Sequence, residues 1–407
     1  MLLSIGLITK NEEKYIDDCL SALMPIKNAI EAEIIVVDTG SDDKTVEIAK
    51  KYTDKVFFFK WCNDFSAARN ETLKYCEGEW YLFFDADEIL QNPQSVIDFF
   101  ISGEYKKYQS ASYIKRNFTM DDLSCYSDQN TVRLIKKTPD THFEGIIHEQ
   151  IVPTGSPVKR LDTLFWHFGY LYESESAKKE KAKRNVTLLE KQLRTCPDAY
   201  TYLQLAESLR GLDEKKSAEA AKRGIALAEN GSMTMQLLYK ILGAMYHKLG
   251  DLDLAAQSID EYFDMESRNR FIDMEMYALA GFVLYDMGAY ELCIQYFEEY
   301  HRLYGEYHSS GKADAGYTVG SVSPFEYRSA VYTAITACIA LQADENAEDW
   351  FMRVPLSEFS GDEQDITLRI MLEHNFDIAF SANRLEKSYN TACDKVKRIA
   401  DDIAKTY

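Results

Sequence analysis

Over the first 90 residues short apolar runs alternate with amphipathic stretches. "LLSIGLI", "AEIIVVD", "KVFFF" and "WYLFFD" read as buried strands. Between them, Ile16, Leu20 and Leu23 recur at helical spacing, "GSDDKT" leads into a helix around Val46 to Lys50, and "DFSAARNETLKYC" reads as a helix closed by Gly78. Thr9 and Glu12 have the spacing of a capping box for the first helix. Strands and helices that alternate through short loops predict a parallel, doubly wound sheet. Such sheets bind ligands at the carboxyl ends of their strands, near the point where strand order reverses. Asp38 ends the second strand and Asp85 the fourth, so the pattern predicts one crevice served by both.

From about residue 103 to 170 the pattern changes. "YQSASYIKRNF", "TVRLIKK", "FEGIIHEQIV" and "DTLFWHFGY" read as strands of mixed pairing, placed to build an acceptor side and lid. After Tyr172 the chain reads as wholly helical. "GAMYHKLGDLDLAAQSIDEYF" and "GFVLYDMGAYELCIQYFEEY" are self-similar at an offset of 38, which pairs Gly250 with Gly288 and Ala255 with Cys293. The same offset backwards pairs Asp213 with Asp251 and Ser217 with Ala255. Small residues at a crossing and a short turn between amphipathic helices resemble tetratricopeptide repeats, here slightly longer than usual. A fourth copy is expected from Phe325 to Val354, after a Gly/Ser-rich loop over 305–324, with a terminal helix over 382–407 covering the last apolar face. The expected organisation is an α/β domain over residues 1–172 and an all-α repeat domain over 173–407.

Composition narrows the partners. The 407 residues carry a formal charge of −20, and no basic stripe interleaved with aromatics is present. A nucleic-acid partner is therefore not expected, since phosphate binding needs clustered Lys and Arg. Eight cysteines without a CxxC pair suggest neither a zinc site nor a disulfide framework. No apolar run approaches the roughly 20 residues of a membrane span, and "MLLSIGLITKNEE" lacks a basic leader or cleavage site. A cytoplasmic setting is the expectation.

The chemistry gathers at "WYLFFDADEIL". On an extended segment Asp85 and Asp87 project to the same side. Carboxylates so placed can hold Mg²⁺ or Mn²⁺ together with the phosphates of an activated diphosphate; the plainer alternative is a strand end that simply exits to solvent. "FEGIIHEQ" adds Glu144, His148 and Glu149, and three of the seven histidines (His142, His148, His167) fall nearby. The spacing is not HExxH, which disfavours a zinc protease. His148 and Glu149 would face opposite ways in a regular strand, so both serve one site only from a loop or bulge.

"SIGLITKNEE", "IIVVDTGSDDKT", "NDFSAARN" and "LFFDADE" occur in the order and at the spacing seen in family 2 glycosyltransferases of the GT-A fold, which this region resembles. The resemblance covers roughly the first 150 to 170 residues. It implies an inverting transfer from a nucleotide sugar, a UDP-hexose by expectation. Thr9, Asn11, Glu12 and Asp38 match donor-binding positions, Arg69 and Asn70 lie against the same pocket, and Asp85 and Asp87 take the metal and diphosphate. Inversion also needs a base for the acceptor proton. Glu149 is the expected base, with His148 near the metal or diphosphate and Glu144 the alternative carboxylate.

"KWCNDFSAARN", "FEGIIHEQ" and "HFGY", followed by helical repeats, resemble more narrowly the peptide S-glycosyltransferases of the sublancin type. That implies a peptide or protein side chain as acceptor, on Cys or Ser/Thr. The N-terminal helical segment of that type has no counterpart before the first strand, and related family 2 enzymes act on lipopolysaccharide cores or other glycans. Stacked helix pairs suit an extended peptide, and serve equally for docking or homodimerisation. The reading from another class is a non-catalytic repeat scaffold with a degenerate nucleotide-sugar domain.

Overall fold

The computed structural model describes residues 1–118, 123, 126–172, 174–309 and 324–354. Its first strands follow the hydrophobic runs: β1 (Leu3–Thr9), β2 (Ala32–Asp38), β3 (Val56–Phe58) and β4 (Trp80–Asp85). Between them lie α1 (Ile16–Ala29), α2 (Thr45–Ala49) and α3 (Phe65–Lys74). The apolar face of α1 buries Ile16, Leu20, Leu23 and Ile26, each side chain contributing about 1.5–3 kcal/mol on leaving water.

The sheet order is β3-β2-β1-β4-β7-β6-β10-β5. The first four strands are parallel, as expected of a doubly wound unit. The rest are mixed. β7 (Tyr126–Lys136) runs antiparallel to β4 and to β6 (Ser110–Phe118), β10 (Val158–His167) is parallel to β6, and the short β5 (Glu88–Leu90) pairs antiparallel with β10. α4 (Gln94–Ile101) follows β5, and a separate two-stranded ribbon joins β8 (His142–Glu144) to β9 (Gln150–Val152). The parallel sheet inferred from the first 90 residues is thus half of the whole, and the strands of mixed pairing expected beyond residue 103 join β5 in the other half.

The capping box does not form. Thr9 is the last residue of β1, α1 starts at Ile16 without a side-chain cap, and the Glu12 N–H donates to Thr45 Oγ1 at 2.8 Å. Residues 10–15 form a loop laced to the turn after β2, so the backbone that a cap would satisfy is already bonded there.

The chain divides into two compact units, the first Met1–Ala228 and the second beginning at Glu229. The change from strand to helix falls near residue 172, as read from the sequence, while three helices beyond it belong to the first unit: α5 (Glu175–Thr195), α6 (Ala199–Leu209) and α7 (Glu214–Leu227). Ser174, Asp198 and Asp213 cap them, each side chain accepting an N–H of the first turn.

The second unit holds the helix pairs α8 (Met233–Leu249) with α9 (Leu252–Phe263), α10 (Arg270–Asp286) with α11 (Tyr290–Ser309), and α12 (Pro324–Ala340) with α13 (Asp344–Phe351). The last pair is the fourth copy. α11 runs on through Ser309 into the stretch read as a Gly/Ser-rich loop, whose remainder lies outside the described residues, as does the terminal helix over 382–407. Gly250 and Gly288 end α8 and precede α11 with φ of 78° and 76°, the left-handed turn that suits glycine. Close packing explains a second glycine pair at the same offset, Gly243 and Gly281. A Cβ on Gly281 would stand 2.4 Å from the Phe297 ring, itself buried at the centre of the α10–α11 core. Gly281→Ala is therefore expected to cost about 1–3 kcal/mol, read as a lower urea midpoint; an unchanged midpoint would mean that the ring yields freely.

Candidate active site

Register brings the strand tips together. Thr9 pairs with Asp38 across β1 and β2, and Ile8 with Asp85 across β1 and β4. This is where the strand order reverses, with β2 and β3 to one side of β1 and β4 to the other. The floor is rigid: Asp38 accepts the N–H groups of Gly40 (3.0 Å) and Ser41 and the Ser41 hydroxyl (2.5 Å). Asn11, at φ 55°, donates its N–H to Ser41 Oγ and accepts that of Asp42, both at 2.9 Å. Thr9 Oγ1 is buried and has no hydrogen-bond partner among the described residues.

Arg69 is the hub. Only 2% exposed, it donates through Nε to Glu149 Oε1 (2.9 Å), through Nη1 to the Phe84 carbonyl (2.7 Å) and through Nη2 to Asp85 Oδ1. Its guanidinium also lies over the rings of Phe83 and Phe143. Arg133 reaches the other Asp85 oxygen, Oδ2, at 3.3 Å and the fully buried Glu88 at 3.4 Å, which Lys115 also approaches at 3.5 Å. Burial works to raise the Asp85 pKa, yet Arg69 and Arg133 hold it well below the usual carboxylate range. Both Asp85 oxygens are engaged by arginine. The role expected for this residue as a metal ligand is thereby confined to a state in which an arginine lets go.

Asp87 does not extend β4. Ala86 and Asp87 form a tight turn into β5, so the two aspartates do not share a strand face as the spacing suggested. The β5–β10 pairing sets His167 opposite Glu88, and the β10–β6 register sets it beside Asn117. The His167 ring contacts Asn117 Oδ1 through Nδ1 at 2.6 Å and turns Nε2 toward Asp87 Oδ2, 3.6 Å away. Burial, with Lys115 nearby, lowers the His167 pKa to about 3, so the ring is neutral. Burial first, then Asp85, Glu12 and Glu88, pushes Asp87 up to about 8. A Cβ on Gly169 would stand 2.5 Å from Asp87 Oδ2 and 2.6 Å from His167 Nε2, so only glycine leaves this notch open.

His148 and Glu149 do leave a loop, between β8 and β9, with His148 at φ 53°. Glu149 turns inward to Arg69. His148 is exposed on this loop, yet the protein around its ring displaces enough water to lower its pKa, which Glu149 opposes and Lys115 and Lys181 reinforce. The histidine placed against Asp87 is thus His167 rather than His148. Glu144 and His142 are exposed on the ribbon, 3.9 Å apart. Asn70 spends its amide on the backbone, donating to the Phe143 carbonyl at 2.8 Å and accepting the Phe143 N–H at 2.7 Å. Its work is to hold β8 against α3.

Sequence reasoning passed over Arg133, Lys115 and Lys181. The only signal was a cation inside an otherwise apolar strand, "TVRLIKK", or at one position of a charged helix. Burial and then Asp85 push Glu12 up to about 7. A carboxyl whose folded pKa lies above its unfolded one stabilises less as pH rises from the unfolded value of 4.5 through 7. Glu12→Gln is accordingly expected to be more stable than the wild type at pH 8 by about 1–3 kcal/mol, with the gap closing toward pH 5. Parallel denaturation curves at both pH values would contradict this.

Among the described residues no three His, Cys, Asp or Glu side chains converge into a ready metal cage. Asp87 and His167 nonetheless aim Oδ2 and Nε2 into one notch. One or two protein ligands completed by diphosphate oxygens is how Mg²⁺ commonly binds a nucleotide, so the donor set fits an ion shared with a diphosphate.

Residues 4–105 match the family model Glycosyl transferase family 2. The SPbeta prophage-derived glycosyltransferase SunS of Bacillus subtilis (strain 168) is 31% identical over 214 residues, 48% of this chain and 46% of that protein. A TPR repeat-containing protein of Synechococcus elongatus is 28% identical over 275 residues, 64% of each chain. The lipopolysaccharide core biosynthesis glycosyltransferase LpsC of Rhizobium meliloti is 24% identical over 189 residues, 44% of this chain and 67% of that one. The chain spans about half of SunS and under two thirds of the Synechococcus protein. The S. aureus TarS 1–349 structure with UDP-GlcNAc is similar at a TM-score of 0.35 and 17% identity, over 76% of this chain and 92% of that one. β1 to β4 and their carboxylate tips lie inside the stretch that is similar to family 2 glycosyltransferases, and the chain continues beyond it into helix pairs.

Proposed function

We propose that this chain moves a hexose from a UDP-sugar to a peptide or protein side chain, with inversion at the sugar carbon and with Mg²⁺ or Mn²⁺ bound. The observation that carries the reading is Arg69, which ties Glu149 to Asp85 at the carboxyl ends of the family 2 strands. In this scheme the donor lies across the tips of β1, β2 and β4, with Thr9 Oγ1 supplying a buried polar atom that needs a partner. Asp87 and His167 hold the ion, with Asp85 joining only if Arg69 or Arg133 releases it. Once bound, the ion neutralises charge on the departing diphosphate.

Arg69 occupies Glu149 Oε1 and leaves Oε2 to accept the acceptor's proton. The acceptor oxygen or sulfur bonds to the anomeric carbon, the bond from that carbon to the diphosphate oxygen breaks, and Glu149 keeps the proton until solvent takes it. Glu144, exposed beside His142, is the weaker candidate for this step. His148, at the mouth, serves the incoming acceptor. Residues 1–172 bind the donor in this scheme, while the repeats over 173–407 engage the acceptor or a second copy of the chain in the cytoplasm. Helix pairs of this kind suit extended peptides. A glycan acceptor is the second reading, favoured by the likeness to LpsC.

Titration calorimetry with UDP tests the donor site. The wild type is expected to bind UDP more tightly with Mn²⁺ than with EDTA, and Asp87→Asn to lose that gain. A wild type that binds no UDP under either condition overturns the reading.

A further inference from the structure

We propose that Lys181, on α5 beyond the sheet, binds the β-phosphate of the nucleotide; the inference rests on the UDP-sugar reading of the same site. The residue lies on the helix capped by Ser174. Its ammonium donates to the Gly169 carbonyl at 2.8 Å, next to the notch formed by Asp87 and His167, and stands 5.5 Å from the ring centroids of both Tyr170 and Tyr172. One turn along, Arg184 lies over the Phe65 ring of α3, so the same face of α5 is held against the sheet domain.

The charges around the notch single this lysine out. Arg69 is committed to Asp85 and Glu149, Arg133 to Asp85 and Glu88, and Lys115 to Glu88. His167 is neutral. Asp87, Asp85 and Glu12 lie near enough to act on the Lys181 charge, yet it makes an ion pair with none of them. An ammonium has three donors, and one is spent on Gly169. A salt bridge serving only stability would have closed onto a carboxylate. An ammonium that stops short of three of them leaves a gap of the kind an anion fills, between the lysine and an ion held at Asp87. A diphosphate brings that anion, whereas a nucleoside monophosphate stops one phosphate short.

The test is calorimetry of UDP and UMP binding to the full chain in EDTA, so that no metal contributes. Lys181→Gln is expected to weaken UDP by about tenfold, the scale of one charge-assisted hydrogen bond, and to leave UMP affinity unchanged. Lys181→Arg is expected to keep most of the UDP affinity, which separates a lost charge from a disturbed helix; thermal melting checks that each variant is folded. Wild-type UDP affinity retained in Lys181→Gln, or equal losses for UDP and UMP, would overturn the assignment to the β-phosphate. A wild type that binds neither nucleotide would overturn the donor reading itself, and this inference with it.

Discussion

Glu149→Gln is expected to depress sugar transfer by about 10²–10⁴-fold, the usual contribution of a positioned general base, with UDP affinity unchanged. The substitution preserves the geometry, since the amide oxygen can still accept the Arg69 Nε–H that Glu149 Oε1 accepts at 2.9 Å. What it removes is the second oxygen's capacity to take a proton. Glu144→Gln is the natural control, because that carboxylate is exposed on the β8–β9 ribbon and lies outside the Arg69 network. The transfer rate and the UDP dissociation constant should be measured on both variants. A normal rate in Glu149→Gln would move the base elsewhere.

The largest effect on stability is expected from Arg69→Met. A single guanidinium satisfies Asp85, Glu149 and the Phe84 carbonyl, and removing it leaves two carboxylates and a carbonyl without their donor. Breaking a buried pair by deleting one partner typically costs about 3–5 kcal/mol. Arg133 remains 3.3 Å from Asp85 and offsets part of the loss there, but among the described residues no second cation forms an ion pair with Glu149. Arg69→Lys should recover little, because a point-like ammonium cannot reproduce three directed bonds. Urea unfolding followed by tryptophan fluorescence measures both variants; a loss below about 1 kcal/mol, the range of exposed pairs, would show that the hub contributes no more than a surface ion pair.

Much of this arrangement was legible in the sequence. The apolar runs located β1 to β4, and the offset of 38 located the helix pairs through Gly250, Gly288, Ala255 and Cys293, since both signals are local periodicities. The "FEGIIHEQ" spacing requires a loop for His148 and Glu149 to act together, and a loop joins β8 to β9 there. The misses share a cause, which is that they depend on pairing between distant strands. His167 meets Asp87 only because β5 turns back antiparallel to β10, and Arg133 reaches Asp85 across 48 residues of chain only because β7 lies next to β4. No spacing encodes either. Asn70 departs from its expected place for another reason: an "ARN" pair on one helix suggests two residues for one pocket, but consecutive helical positions point about 100° apart. Arg69 faces the strand tips, and Asn70 faces β8.

In the proposed reaction the notch at the end of β4 activates a sugar nucleotide. A panel of UDP-, GDP- and dTDP-sugars, each incubated with the protein in Mn²⁺ or Mg²⁺ and again in EDTA, tests it most directly through the nucleoside diphosphate released. Metal-dependent release from a UDP-hexose is expected of the wild type, and none of Asp87→Asn. Equal release with EDTA, or by the Asp87→Asn protein, would contradict it.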